Sequence, residues 1–228
     1  MFRPPNRDWG AYETRPVYGY DDCMPTVDSC RHPTLDWTIP DHGELCWLPW
    51  QVRLESGLDC RVRSRNMPLE FRRHLEFSGS RLTWHFEALN EGAVPIQFQH
   101  VMHALMQPES IAGILLPEFE LAFDEIDRTP AAFQNPAETA KNLLSLPLGQ
   151  NAMLLLRQVQ DGRLSIRFRS GLTLRIQFPA DRFPTLGIWW NRNGYPDENG
   201  CRRSECAFEP MPGPGSSLAD AAAANACL

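Results

Sequence analysis

Pro95-Ile96-Gln97-Phe98-Gln99-His100-Val101-Met102-His103-Ala104-Leu105 reads as a β-strand. Side chains on a strand point alternately to its two faces. One face carries Ile96, Phe98, His100 and Met102, a core face. The other carries Gln97, Gln99 and His103, which is polar but hardly charged, like a sheet lining a wet pocket. The period therefore sends His103 into a pocket and His100 into the core. A bulge near Val101 would exchange the two.

The alternation continues on both sides. Leu69, Phe71, Leu75 and Phe77 share one face, with Glu70, Arg72, His74 and Glu76 on the other. Ser78-Gly79-Ser80 is a hairpin turn. Leu82, Trp84, Phe86 and Ala88 follow on one side, Thr83, His85 and Glu87 on the other. Asn90-Glu91-Gly92 turns the chain into the opening stretch. Toward the N-terminus a strand is expected from Leu45 to Leu54, entered through the turn Asp41-His42-Gly43-Glu44. Residues 1–40 read as an ordered irregular region, and Tyr20-Asp21-Asp22-Cys23-Met24-Pro25 as a solvated turn. Further strands are expected around Phe119–Ile126, Met153–Gln158, Leu164–Phe168, Leu172–Phe178, Thr185–Asn191 and Ser204–Pro210, with short helices at Ala137–Leu144 and Leu218–Asn225. Residues 211–228 are expected as a loop and that last helix. The pattern predicts one all-β domain over residues 1–228, an antiparallel sandwich with little helix.

Composition narrows the function. A net charge of −6 gives no support for nucleic acid or an anionic membrane as partner. No apolar run reaches the roughly 20 residues of a spanning helix, and no signal peptide is evident. Seven cysteines make an odd count for a disulfide framework, so a reducing cytoplasm is expected. No cysteine–histidine spacing suits a zinc site, and no nucleotide or metalloprotease motif occurs. No cofactor and no metal is expected.

Three side chains then stand out. His42 sits at a strand entrance, His103 on a polar strand face, and Glu209 between Phe208 and Pro210, where burial would raise its pKa toward the range of a general base. A histidine and a carboxylate on opposing sides of a sugar-sized cleft suit coupled proton transfer to and from oxygen. Trp189, Trp190 and Trp47 could stack on the apolar face of a sugar ring, with at least one of the adjacent pair expected in the core.

At these residues the sequence resembles the galactose mutarotase-like (aldose 1-epimerase) family. The run Asn90-Glu91-Gly92…Pro95-Ile96-Gln97-Phe98…His103-Ala104-Leu105 is similar to the family's histidine-bearing strand. Leu186-Gly187-Ile188-Trp189-Trp190-Asn191, Cys206-Ala207-Phe208-Glu209-Pro210 and Ser217-Leu218-Ala219 are similar to its C-terminal segment. The blocks keep their order over about residues 35–222. The resemblance implies a β-supersandwich that interconverts the α and β anomers of a free sugar. Glu209 would take the proton from the anomeric hydroxyl, His103 would protonate the ring oxygen, and His42 would help hold that oxygen. Gln97, Gln99, Trp189, Asn191 and Trp47 are the expected sugar contacts. His103 is followed by Ala104, where the family usually has proline. Arg15 and Arg31 are the candidates for the family's sugar-binding arginine, and Asp181 for its aspartate. The other function open at this point is a carbohydrate-binding module on the same scaffold, without catalysis.

Overall fold

The computed structural model describes residues 19–54, 57–196 and 202–228. In chain order its strands are β1 (Tyr20–Cys23), β2 (Cys30–Arg31), β3 (Thr38–Ile39), β4 (Gln51–Leu54), β5 (Leu58–Arg63), β6 (Leu69–Ser78), β7 (Arg81–Asn90) and β8 (Val101–Ala104). They continue with β9 (Ile111–Leu115), β10 (Leu121–Asp124), β11 (Thr129–Pro130), β12 (Gln150–Arg157), β13 (Arg163–Phe168), β14 (Thr173–Gln177), β15 (Thr185–Pro196) and β16 (Arg202–Met211). The helices are α1 (Pro136–Leu144) and α2 (Leu218–Ala223). Every ladder among these strands is antiparallel.

The central layer is the five-stranded sheet β11-β10-β12-β15-β16. Strand parity gives it two unlike faces. Leu154, Leu156, Leu186, Ile188, Trp190 and Phe208 face the sheet β14-β13-β9 and α1, and together they form the largest apolar core. The opposite face carries Met153, Leu155, Trp189, Ala207, Glu209 and Met211, and β1 and β8 pack on part of it through Cys23 and Val101. The four-stranded sheet β4-β5-β6-β7 closes over a third cluster built on Val62, Leu69 and Phe71 with Met24, Leu45 and Leu48. This is the antiparallel β-sandwich that the alternation predicts.

Local chemistry explains the boundaries. Asn135 caps α1 by accepting the backbone N–H of Glu138, and Pro136 starts the helix where no N–H is needed. Ser217 caps α2 in the same manner through Ala219. Gly79 supplies the positive φ of 58° that the β6–β7 hairpin requires.

Four sequence expectations change. Leu45–Trp47 is a 3-10 turn, and the strand there begins only at Gln51. Tyr20–Cys23 is no solvated turn: it is β1, paired with β8 from Tyr20↔Ala104 to Cys23↔Val101. Pro95–His100 is extended without being a strand, because its backbone is divided among unrelated partners. The Gln99 N–H donates to Pro25, Phe98 exchanges bonds with Leu228, and the Gln97 carbonyl lies 3.1 Å from His32 Nε2. The ladder starts at Val101. Lastly, β15 runs on to Pro196, past the Asn191 expected as its end. Trp9, Tyr12, Arg15, Tyr18 and Cys201 lie outside the described residues.

Candidate active site

Glu209 belongs to β16, on the face turned toward β8. Its residue surface is 1% exposed, and its Oε2 has no hydrogen-bond partner among the described residues. Burial, and then the nearby Glu125 and Asp28 carboxylates, push its carboxyl up to about 8. Gly187 sits directly opposite on β15, and the space above it is filled by the side chains of Met211 and Met153.

His103 stands over this carboxyl. β8 crosses β16, pinned by paired backbone bonds of 2.8 Å between Met106 and Cys206. His103 Nε2 lies 3.6 Å from Glu209 Oε1. The sequence placed histidine and carboxylate on opposite sides of a cleft. The structure puts them side by side, on neighbouring elements.

His42 completes the group. Its ring centroid is 5.0 Å from that of His103, and its Nδ1 is 3.2 Å from Asp41 Oδ2. It is held by a clamped loop rather than a strand. His42 and Gly43 both have positive φ, 59° and 70°. A Cβ on Gly43 would fall 2.0 Å from the Met24 carbonyl oxygen, so only glycine lets the loop approach β1 this closely. The His42 N–H donates to Val27, and the Glu44 N–H to Met24. The buried Glu44 carboxylate takes donors from Ser64, Arg65 and Asn66, tying the loop to the β5–β6 turn.

These groups open into a cleft of about 300 Å³. One wall is aromatic: Trp189 meets Tyr195 edge to face, with centroids 5.7 Å apart. Asn191 fixes Tyr195 by accepting from the N–H groups of Gly194 and Tyr195 and donating to the Tyr195 carbonyl. Asp28, Glu125, Arg203 and Glu205 supply the charged part of the lining. Glu125 accepts from both the N–H and the hydroxyl of Ser216. Asp28 is at the exposed rim, yet the loss of water around its carboxyl, with Glu125 and Asp41 beside it, pushes it up to about 6. A larger groove, about 820 Å³, runs between β9 and α1, but it is lined mainly by Ile114, Leu116, Ala140 and Leu144 and contains no histidine.

Among the described residues, the thiol of Cys23, His42 and His103 bring donor atoms within 4.8 Å of one another. Burial, and then the Asp21 and Glu209 carboxylates, hold the Cys23 thiol well above its usual pKa.

Of the residues singled out in the sequence, His42, His103, Glu209 and Trp189 meet in the cleft. Trp190 goes to the core, 1% exposed. The expected contacts Gln97, Gln99 and Trp47 do not line the cleft, and Asn191 serves it only through Tyr195. Gln99 is fully buried and its amide donates to the Gly215 carbonyl. Trp47 is buried in the 3-10 turn. The error for the glutamines is one of extrapolation, since the period was carried back through residues that are not in a ladder. Arg31 is exposed and paired with Asp36, and Asp181 is exposed between β14 and β15. Asp28, Asp41, Glu125, Tyr195, Arg203 and Glu205 were missed. For Arg203 and Glu205 the signal existed, because both share parity with Glu209 on one strand.

A buried carboxyl thus lies beside two histidines, in a cleft on one face of an antiparallel sandwich. The fold has a solved counterpart. The structure of an Escherichia coli K12 protein described as a "putative aldose 1-epimerase" superposes with a TM-score of 0.65, at 14% identity, over 87% of this chain and 74% of that one. At that identity the likeness is one of fold. No protein-family model and no curated protein matches the sequence.

Proposed function

We propose that the cleft binds a free sugar in its cyclic form and interconverts its α and β anomers by acid–base ring opening. The observation that carries this reading is the His103–Glu209 pair, 3.6 Å apart in a cleft of monosaccharide size. In a cyclic aldose the anomeric hydroxyl and the ring oxygen are bonded to the same carbon. The base and acid that serve them must therefore sit side by side. Glu209 takes the proton from the anomeric hydroxyl as His103 gives one to the ring oxygen, and the bond from that oxygen to the anomeric carbon breaks. Rotation of the freed aldehyde and reversal of both transfers closes the other anomer. Each positioned transfer is typically worth ~10²–10⁴ in rate. His42 neighbours His103 and helps hold the ring oxygen, and Trp189 offers its face to the apolar side of the ring.

The fold neighbour's description as a "putative aldose 1-epimerase" supports this reading, as do the clustered His42, His103 and Glu209. A small sugar is the proposed partner, with no role for nucleic acid, a membrane surface or a cofactor. Among the described residues no helix is long and apolar enough to cross a membrane. The unbridged described cysteines accord with a cytoplasmic setting. One domain over the whole chain is part of the same proposal.

Exchange NMR on the anomers of a panel of free aldoses, with and without protein, tests it. Acceleration is expected for at least one aldose, and Glu209→Gln and His103→Asn should each cut it by at least ~10² while leaving sugar binding largely intact. Binding without exchange by the wild type would replace the enzyme with a carbohydrate-binding module. Neither binding nor exchange would end both readings.

A further inference from the structure

We propose that Arg203 and Glu205 form a second subsite in the cleft, one that grips vicinal hydroxyls of an uncharged sugar at the end remote from its anomeric carbon. The inference rests on the reading of the cleft as a sugar site. Arg203, Glu205 and Glu209 share one face of β16, and all three line the cleft. At about 3.3 Å of rise per residue, the Cα atoms of 205 and 203 lie roughly 13 and 20 Å from that of 209. That separation, shortened by the side chains themselves, is on the scale of one sugar ring. The reacting end is fixed by Glu209 and His103, so the far end of the ring falls to Arg203 and Glu205.

The local bonding calls for a ligand. Arg203 is only 22% exposed at its side chain, and its Nε is shut off from water without a hydrogen-bond partner among the described residues. Glu205 Oε2, at 3.8 Å, is near enough to balance its charge but too far to accept its proton. A buried donor left unmet is costly. Two adjacent hydroxyls entering here meet a planar fork of donors and a carboxylate that accepts, which matches their own mixed character.

Charge sets the class of sugar. Glu205 offsets the guanidinium, and besides His42, His103 and Glu209 at the reacting end the other ionisable groups lining the cleft are the carboxyls of Asp28, Asp41 and Glu125. A phosphate or carboxylate arm finds no net positive potential. The subsite therefore takes hydroxyls and rejects anions.

Full-length protein, wild type and variants, is titrated with free hexoses, their 3-deoxy and 4-deoxy analogues and their 6-phosphates. Binding is followed by saturation-transfer NMR and catalysis by anomer exchange. For Arg203→Gln, KM and Kd for the free hexose should rise about 10- to 100-fold, with kcat within a few-fold of wild type. Removing the contacted hydroxyl should weaken binding to the wild type and change little for Arg203→Gln, a pattern that general unfolding does not produce. Arg203→Lys should fall between the two. Glu205→Gln should narrow the gap between free and phosphorylated hexose. Equal deoxy penalties in wild type and Arg203→Gln, or 6-phosphates held as tightly as free hexoses by the wild type, would overturn the subsite while leaving the enzyme reading in place. A wild type that binds without exchange still tests the subsite through Kd. A wild type that binds no hexose removes both.

Discussion

At the scale of the residue, the site is a matter of which carboxyls lose water. Glu209 is driven up to about 8 by burial, reinforced by Glu125 and Asp28. A base must be ionised to accept a proton. The rise of kcat/KM for anomer exchange with pH should therefore follow the ionisation of Glu209, near 8, a limb absent from Glu209→Gln. The same shift has a stability consequence. A carboxyl with a raised native pKa holds its stabilising contribution below the unfolded value, near 4.5, and surrenders it as pH rises through about 8. Relative to pH 4, Glu209→Gln should be more stable than wild type at pH 9 by on the order of 2–4 kcal/mol, read from urea melts at the two pH values. An unchanged difference would mean that Glu209 ionises normally. Gly43 yields a second prediction. Gly43→Ala must adopt a positive φ and push its methyl into the Met24 backbone. It should cost about 2–3 kcal/mol and lower kcat by moving His42, checked by thermal melts and exchange NMR together.

At the scale of the element, β8 is a strand of only Val101–Ala104, too short to hold His103 by itself. β1 supplies the missing ladder, with Asp21 opposite His103. The next residue, Asp22, anchors β1 from behind. Its buried carboxylate accepts from Tyr20 at 2.8 Å and from Arg73, and it lies 2.9 Å from His100 Nε2. Arg73 in turn lies over Trp50 and Trp84. Thus His100, just before β8, ties the entrance of the strand to Asp22, while His103 stands on the strand itself. Asp22→Ala would leave Arg73 partly buried without its counter-charge, at about 3–5 kcal/mol. Urea denaturation should show that loss, and exchange should slow even in the folded fraction, because the register of His103 depends on β1. A variant as stable and as active as wild type would show the network to be dispensable.

At the scale of the whole molecule, three sheets share the work. One face of β12, β15 and β16 builds the main core with β9, β13 and α1, and the other face floors the cleft. The four-stranded sheet projects beyond its own core, leaving Leu54 and Phe77 79% and 67% exposed at its far end. No disulfide joins the layers among the described residues, where Cys23, Cys30, Cys46, Cys60, Cys206 and Cys227 are all free. Stability must then come from packing and hydrogen bonds. Thiol titration of the denatured, unreduced protein should find all seven cysteines of the chain reactive. A lower count would reveal a bridge that this arrangement does not need.

Period and turn chemistry alone determined most of the elements. The alternation from Leu69 to Ala88 and the glycine hairpins are local facts, decided within a few residues by backbone geometry. Parity likewise separated Trp189 from Trp190 and Glu209 from Phe208. What the sequence could not decide is what each exposed-looking carboxylate would face. Asp22 reads as a turn residue until β8 arrives to pair with it, some 80 residues later in the chain. Asp28, Glu125 and Arg203 become cleft residues only when distant segments converge. Gln97 and Gln99 fail for the converse reason, because the Gln99 N–H bonds to Pro25 and the Gln97 carbonyl meets the His32 ring in place of a neighbouring strand. A strand's faces are set by its own pleat. Whether a face meets water, core or cleft is set by the packing of segments far apart in sequence, and burial, with the pKa values that follow from it, exists only at that level.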